Sequence, residues 1–194
     1  LDVTEHTRGI LAPGRMFTVV DFDRYPVPPE LDGLIDWFWS VRWDLPAGAR
    51  HRQPVLATPA VNVSVGVTPP PGDDPPPGPY SLDSYLNGVT TDVTVRHLSG
   101  SGWNVAAKTT TGGFGAWVDD VQALNDRQLP MSEVLAIDQR DLALRVANIG
   151  FGAGRAVPIA EELVRLLDTR PPARVARARE VAAVASAAEH DRTI

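Results

Sequence analysis

RHLSGSGWNVAAKTTTGGFGAWVDDVQALNDRQLPMSEV, the stretch from Arg96 to Val134, changes from a strand pattern to a helical pattern within one segment. Trp103, Val105 and Ala107 alternate with Asn104, Ala106 and Lys108, which is typical of a half-buried strand. Gly112-Gly113 ends that alternation. Apolar residues then recur at three- and four-residue spacings, which predicts a helix packed against the sheet: Phe114, Trp117, Val118, Val121 and Leu124.

Upstream of this stretch, several short segments alternate with the period of a strand. The clearest runs from Asp36 to Asp44, where Trp37, Trp39, Val41 and Trp43 share one face. Residues 61–67 and 92–97 repeat the alternation, and 16–22 is apolar but less regular. No helical pattern separates these strands before Gly113, so the sequence predicts an antiparallel barrel or sandwich and not a βαβ fold.

A proline-rich segment interrupts this series of strands. Seven prolines lie between Pro69 and Pro79. Proline lacks a backbone donor for sheet pairing, so we predict a mobile loop outside the barrel.

Motifs in a defined order link these strands to a known family. The segments are WFWSVRWDLP at 37–46, HRQPVL at 51–56 followed by Asn62, the Gly112-Gly113-Phe114 turn, and ALNDRQLP at 123–130. Their order resembles the amino-terminal sensor domain of AraC-type bacterial transcription regulators, in the subgroup described only as a domain of unknown function. That family often has Arg-Pro before Gly-Gly-Phe, whereas this chain has Thr110-Thr111, so no role of that arginine is transferred.

The resemblance implies a cupin-like antiparallel β-barrel followed by helices that serve pairing and signal relay. We therefore predict a β-barrel sensor domain at 1–112 and a helical dimerisation and linker region at 113–194. In the family, two helix-turn-helix motifs follow and bind DNA. The chain ends at Ile194, where the first DNA-binding helix is expected to begin, so we expect DNA recognition to belong to a region that this chain lacks.

The helical region carries one pronounced apolar stripe. Pro158 suits the first turn of a helix, and Ile159, Leu163, Leu166 and Leu167 follow on one face. Such a stripe must be buried against the chain's own barrel or against a partner. We predict that these four residues form the contact of a homodimer, with burial inside the chain as the competing hypothesis. A further helix is predicted from Arg174 to Ala188.

Composition narrows the possible functions. The net charge of −6 argues against DNA binding by this chain itself, because non-specific DNA affinity comes mainly from basic residues. The chain has no cysteine, which excludes disulfides and thiolate metal sites. Neither a signal peptide nor an apolar stretch long enough to span a bilayer is recognisable, so we expect a soluble cytoplasmic protein without a membrane partner.

Catalytic and metal-binding motifs are absent from the sequence. His51 is followed by Arg52 and Gln53, without the His-x-His and nearby Glu that hold a metal in cupins, so we predict no metal and no cofactor. No nucleophile with a base, and no close carboxylate pair, suggests an enzyme. Three indoles on one strand face favour a ligand pocket. The residues that we expect to line it are Trp37, Trp39, Trp43, Val63, Val65, His97 and Trp103.

These observations lead to one preferred function and two alternatives. We expect an effector-sensing and dimerisation domain of an AraC-family DNA-binding regulator, with a small-molecule effector that the sequence does not identify. A small metal-independent cupin-type enzyme would need titratable groups clustered inside the barrel. A ligand-free assembly module would need tryptophans that leave no void.

Overall fold

The structure, a computed structural model, describes residues 13–69 and 80–190. The proline-rich segment lies outside the described residues except for Pro69. The described residues form eight strands: β1 Val20–Tyr25, β2 Ile35–Asp44, β3 Arg50–Val55, β4 Asn62–Val67, β5 Leu82–Asn87, β6 Thr94–Ser99, β7 Ser101–Thr109 and β8 Gln128–Pro130. The described helices are α1 Pro13–Met16, α2 Gln139–Ala147, α3 Ala156–Asp168 and α4 Pro172–His190.

The strands form two antiparallel sheets. The larger has the order β1-β2-β7-β4-β5-β8, and the smaller pairs β3 with β6. The predicted class, mainly antiparallel β with a helical extension, is confirmed. The predicted closure is not, because the sheets do not join into a barrel.

The main core lies between the larger sheet and the helices. Helix α2 packs on β4 and β5, and α3 packs on β7. Asp138 caps α2 by accepting hydrogen bonds from the backbone of Arg140 and Asp141. One apolar cluster extends from Leu31 to Ala178, so the parts on either side of residue 112 share a core.

The turn after β7 depends on both of its glycines. Gly112 has a φ of 80°, in the left-handed region that favours glycine. A side chain at Gly113 would collide with the backbone of Leu34. The predicted strand-to-helix turn is therefore present, and it sets where the chain leaves the sheet.

The prediction of one helix after this turn is wrong. Two short 3-10 helices, Gly113–Ala116 and Gln122–Leu124, stand in its place. Between them, the Asp120 carboxylate accepts a hydrogen bond from the backbone of Ala123 at 3.1 Å. Aspartate side chains compete in this way with helical hydrogen bonds, so the chain starts a new turn instead of continuing one helix.

No described helix is both long enough and apolar enough to cross a membrane.

Candidate functional site

A cavity of about 700 Å³ lies between the two sheets. This volume falls within the range of about 300–1,000 Å³ that is usual for small-molecule sites. The larger sheet supplies one wall, β3 and β6 supply the facing wall, and α4 covers part of it through Ala182 and Ser186. The side chains most relevant to binding are Phe22, Arg24, Asp36, Trp37, Trp39, Val41, Gln53, Val55, Asn62, Arg96, Leu98 and Lys108.

Strand β2 places Trp37 and Trp39 in this cavity by simple alternation. Trp39 stands opposite Ala106 of β7, and its indole stacks on Phe22 with the ring centroids 6.2 Å apart. The indole Nε1 donates a hydrogen bond to the Asn62 side chain at 3.1 Å. This bond fixes the orientation of the Trp39 ring, so that one ring face can form part of the cavity wall.

Trp37 is flanked by two cations from the neighbouring strands. The Arg24 guanidinium of β1 lies 4.0 Å from the ring centroid, and Nζ of Lys108 of β7 lies 3.9 Å from it. Lys108 also forms an ion pair of 2.8 Å with Asp36. An irregular register between Ile35 and Trp37 allows both Asp36 and Trp37 to line the cavity, although they are consecutive in the chain.

The smaller sheet contributes a further cation. Arg96 of β6 stands opposite Gln53 of β3, and both line the cavity. Nη2 of Arg96 donates to the side-chain oxygen of Asn87 at 3.0 Å. The cavity therefore combines an aromatic wall with guanidinium groups from both sheets.

A smaller cavity of about 190 Å³ adjoins the first and shares part of its wall. Trp43 and His97, both predicted pocket residues, line this smaller cavity only. Trp43 is buried, and its Nε1 donates to the Ser99 carbonyl at 3.2 Å. Tyr85 also lies here, and burial raises the pKa of its phenol, while the Thr68 hydrogen bond and the Arg96 charge lower it.

Three residues that were predicted to line the pocket lie on the face of the larger sheet opposite the cavity. Val63 and Val65 stand opposite Ala107 and Val105 and belong to the core that the helices cover. Trp103 faces the same side, where the Arg155 guanidinium lies 3.9 Å from its ring centroid. Alternation assigned each strand two faces correctly, but the phase between neighbouring strands was mistaken, because register is set by pairing and not by local pattern.

The predicted dimer contact also needs correction. Ile159, Leu163 and Leu166 are at most 2% exposed and belong to the chain's own core, against which Leu167 packs. Nε1 of Trp117 donates to the Leu163 carbonyl at 3.1 Å, which ties α3 to the turn after β7. The competing hypothesis of burial inside the chain therefore describes this stripe.

Sequence reasoning missed most of the polar wall. Phe22 and Arg24 are two residues apart on β1, as residues on one strand face are. Extending the strand predicted at 16–22 as far as Arg24 would have marked both. Nothing local marked Arg96 or Lys108. Among the described residues, no group of three or more His, Cys, Asp or Glu could hold a metal ion, and the absence of a metal stays a prediction.

Comparison with known families now places this cavity. The family model described as a domain of unknown function (DUF6597) matches residues 23–130, more than half of the chain. The chain belongs to the DUF6597 family. The DUF6597 region begins within β1 and ends with β8, so it supplies both sheets of the cavity, whereas α4 lies after it. No curated protein and no solved structure matches the chain.

Proposed function

We propose that this chain is the effector-sensing and dimerisation domain of an AraC-family DNA-binding transcriptional regulator. The observation that carries the proposal is the cavity of about 700 Å³ between the sheets, with its aromatic and cationic wall. Membership of DUF6597 agrees with the resemblance to a domain of unknown function. The proposal extends this to the AraC-type regulators that the resemblance named. A cavity of this size counts against a filled assembly module.

Helix α4 is the proposed output of the sensor. Its Ala182 and Ser186 line the cavity, so a bound molecule would contact the helix directly. Arg179 of α4 also donates hydrogen bonds to the carbonyls of Glu30 and Asp32 at 2.9 and 3.1 Å, and Arg174 pairs with Asp119. A ligand that shifts α4 would have to weaken or strengthen these contacts, which gives it a physical route to a following domain.

DNA recognition is proposed for a separate helix-turn-helix domain of the kind that the resemblance to AraC-type regulators implies. The net charge of −6 on this chain supports that division of labour, since phosphate contacts require clustered basic residues. Dimerisation remains part of the proposal, but the apolar stripe of α3 is not proposed as the dimer contact. Large apolar side chains that are exposed on the helices are Leu144, Val157, Val181 and Val184.

The proposal is tested by identifying what the cavity holds. The chain is purified without added ligands, and native mass spectrometry followed by solvent extraction detects a co-purifying small molecule. A Trp39→Leu variant should lose that molecule. A Trp103→Leu variant serves as the matched control, because it removes an indole from the opposite face of the same sheet.

The outcomes separate the candidate functions. A molecule that is retained by the control, lost by Trp39→Leu and recovered chemically unchanged after long incubation supports a sensor. Conversion of the molecule to a product would instead favour the cupin-type enzyme. If added candidate compounds and extraction both give nothing bound, the sensing function is contradicted.

A further inference from the structure

Arg96 holds a distinctive position in the cavity system. It lines both the larger and the smaller cavity, together with Trp39, Val41, Val55 and Leu98. The side chain is half-buried, and the polar residues Thr58 and Asn62 also line both cavities. A guanidinium placed there sits at the junction of the two cavities, within reach of a molecule in either.

Among the described residues, no carboxylate balances the charge of Arg96. Within residues 13–69 and 80–190, its hydrogen-bond partner is the neutral Asn87 amide oxygen at 3.0 Å, and no acidic side chain lies within ion-pair distance. Asn87 also donates to Ser64 Oγ at 3.4 Å, so the amide that orients Arg96 is itself held in place. The other guanidinium donors of Arg96 remain available, and a guanidinium offers five in all.

The other cations of the cavity wall are already engaged. Lys108 pairs with Asp36 at 2.8 Å, and both Lys108 and Arg24 lie against the Trp37 ring. A guanidinium in a partly desolvated wall that has no carboxylate partner among the described residues favours a negatively charged ligand. The planar arrangement of its donors matches the two oxygens of a carboxylate.

We propose that the cavity binds an amphipathic monocarboxylate, whose carboxylate is held by Arg96 and whose apolar body lies against Trp39 and Val41. The proposal rests on the proposed sensing function and names the class of its effector. Removing Arg96 leaves the carboxylate without its partner, while the apolar contacts of the body persist. Hydrogen bonds to charged groups contribute roughly 1.5–3 kcal/mol, so the carboxylate should gain about tenfold to a hundredfold in affinity through Arg96.

The experiment measures binding of three carboxylates and their neutral counterparts by isothermal titration calorimetry. The probes are 2-naphthoate, 4-phenylbutyrate and decanoate, each compared with the corresponding primary alcohol. Titrations use the wild-type chain, Arg96→Gln and Arg96→Lys. Arg52→Gln is the matched control, because Arg52 stands on β3, is exposed, lines neither cavity and carries the same charge. Circular dichroism verifies that each variant is folded.

We expect at least one carboxylate to bind wild type and Arg52→Gln tenfold or more tightly than its alcohol. Arg96→Gln should abolish that preference, and Arg96→Lys should restore part of it. Equal binding of acid and alcohol would overturn the proposal while leaving ligand binding by the cavity intact. A neutral co-purifying molecule would have the same meaning. Binding of none of the three carboxylates would also overturn the monocarboxylate class, and the extraction experiment then decides separately whether the cavity binds any molecule.

Discussion

The two faces of strand β2, which carry alternate residues of the strand, differ in what covers them. On one face, Phe38 and Ser40 are at most 1% exposed and lie under the helices, where Tyr25 bonds the Ser40 hydroxyl at 2.7 Å. On the other, Trp37 and Trp39 are only half-buried and line the cavity. Trp37 and Trp39 thus stand on a less densely packed part of the strand, whereas Trp43 on the same face is buried. A strand with apolar residues on both faces can therefore serve stability on one side and binding on the other.

The strongest way to break this comparison is to place charge in the face that the helices cover. Leu163→Glu with Leu166→Glu should cost more than about 4 kcal/mol and unfold the chain, because two carboxylates would be buried without partners. Urea denaturation followed by circular dichroism measures the loss.

The matched control is Leu144→Glu with Val157→Glu. These two residues lie on α2 and α3 but are 48% and 51% exposed, so each change should stay within about 0.5 kcal/mol. Light scattering of the core variant adds a second test. A folded monomer arising from a wild-type dimer would show that the α3 stripe is an interface after all.

Neighbouring residues on β2 sharpen the comparison with a smaller effect. Phe38→Ala should lower the free energy of unfolding by about 3–5 kcal/mol, the usual cost of a cavity in a dense core. Trp39→Ala should cost only about 1–2 kcal/mol, because it removes the hydrogen bond to Asn62 and the stack on Phe22 from a wall that is already open to the cavity. Urea midpoints of the two variants provide the measurement. Equal losses would mean that both faces are packed alike.

The smallest expected effect concerns Tyr85 and alkaline pH. Burial raises the pKa of Tyr85 above its ordinary value of 10.0. The unfolded chain would therefore ionise this phenol first, so its contribution to stability is complete below about pH 10 and is lost as the pH rises through the folded pKa.

Tyr85→Phe should cost about 1 kcal/mol at neutral pH, since it removes the hydrogen bonds with Thr68 and Asn104, both 3.2 Å long. The gap between wild type and variant should then narrow above pH 10. Unfolding free energies measured at several pH values up to 11 test this. Parallel alkaline slopes for the two chains would contradict the burial of the phenol.

Several elements of the fold were predictable from local pattern. Alternation marked β2, β4, β6 and β7, and Pro158 correctly indicated the helix α3 around it. Local pattern wrongly predicted one helix at 114–124, because the Asp120 side chain accepts a local hydrogen bond that interrupts the helix. Local pattern is thus dependable where burial on one side repeats, and weaker where polar side chains compete with the backbone.

The candidate site was only partly predictable. Trp37 and Trp39 line the main cavity as expected, whereas Val63, Val65 and Trp103 belong to the opposite face. A pattern of period two shows that two faces exist but carries no information about which faces of separate strands coincide. Arg96 stands out only after β6 is paired with β3, since a single arginine in a strand has no local signature.

By itself the sequence determined the antiparallel strand content, the glycine turn after β7 and the helices α3 and α4. These depend on side-chain periodicity and backbone preferences that act within a few residues. Only the tertiary structure decided that α2 and α3 cover one face of the larger sheet, that the α3 stripe is buried within the chain, and that a cavity remains between the sheets. The reason is physical: strand pairing and helix packing join residues that are distant along the chain, and local periodicity is the same whichever partner buries an apolar face.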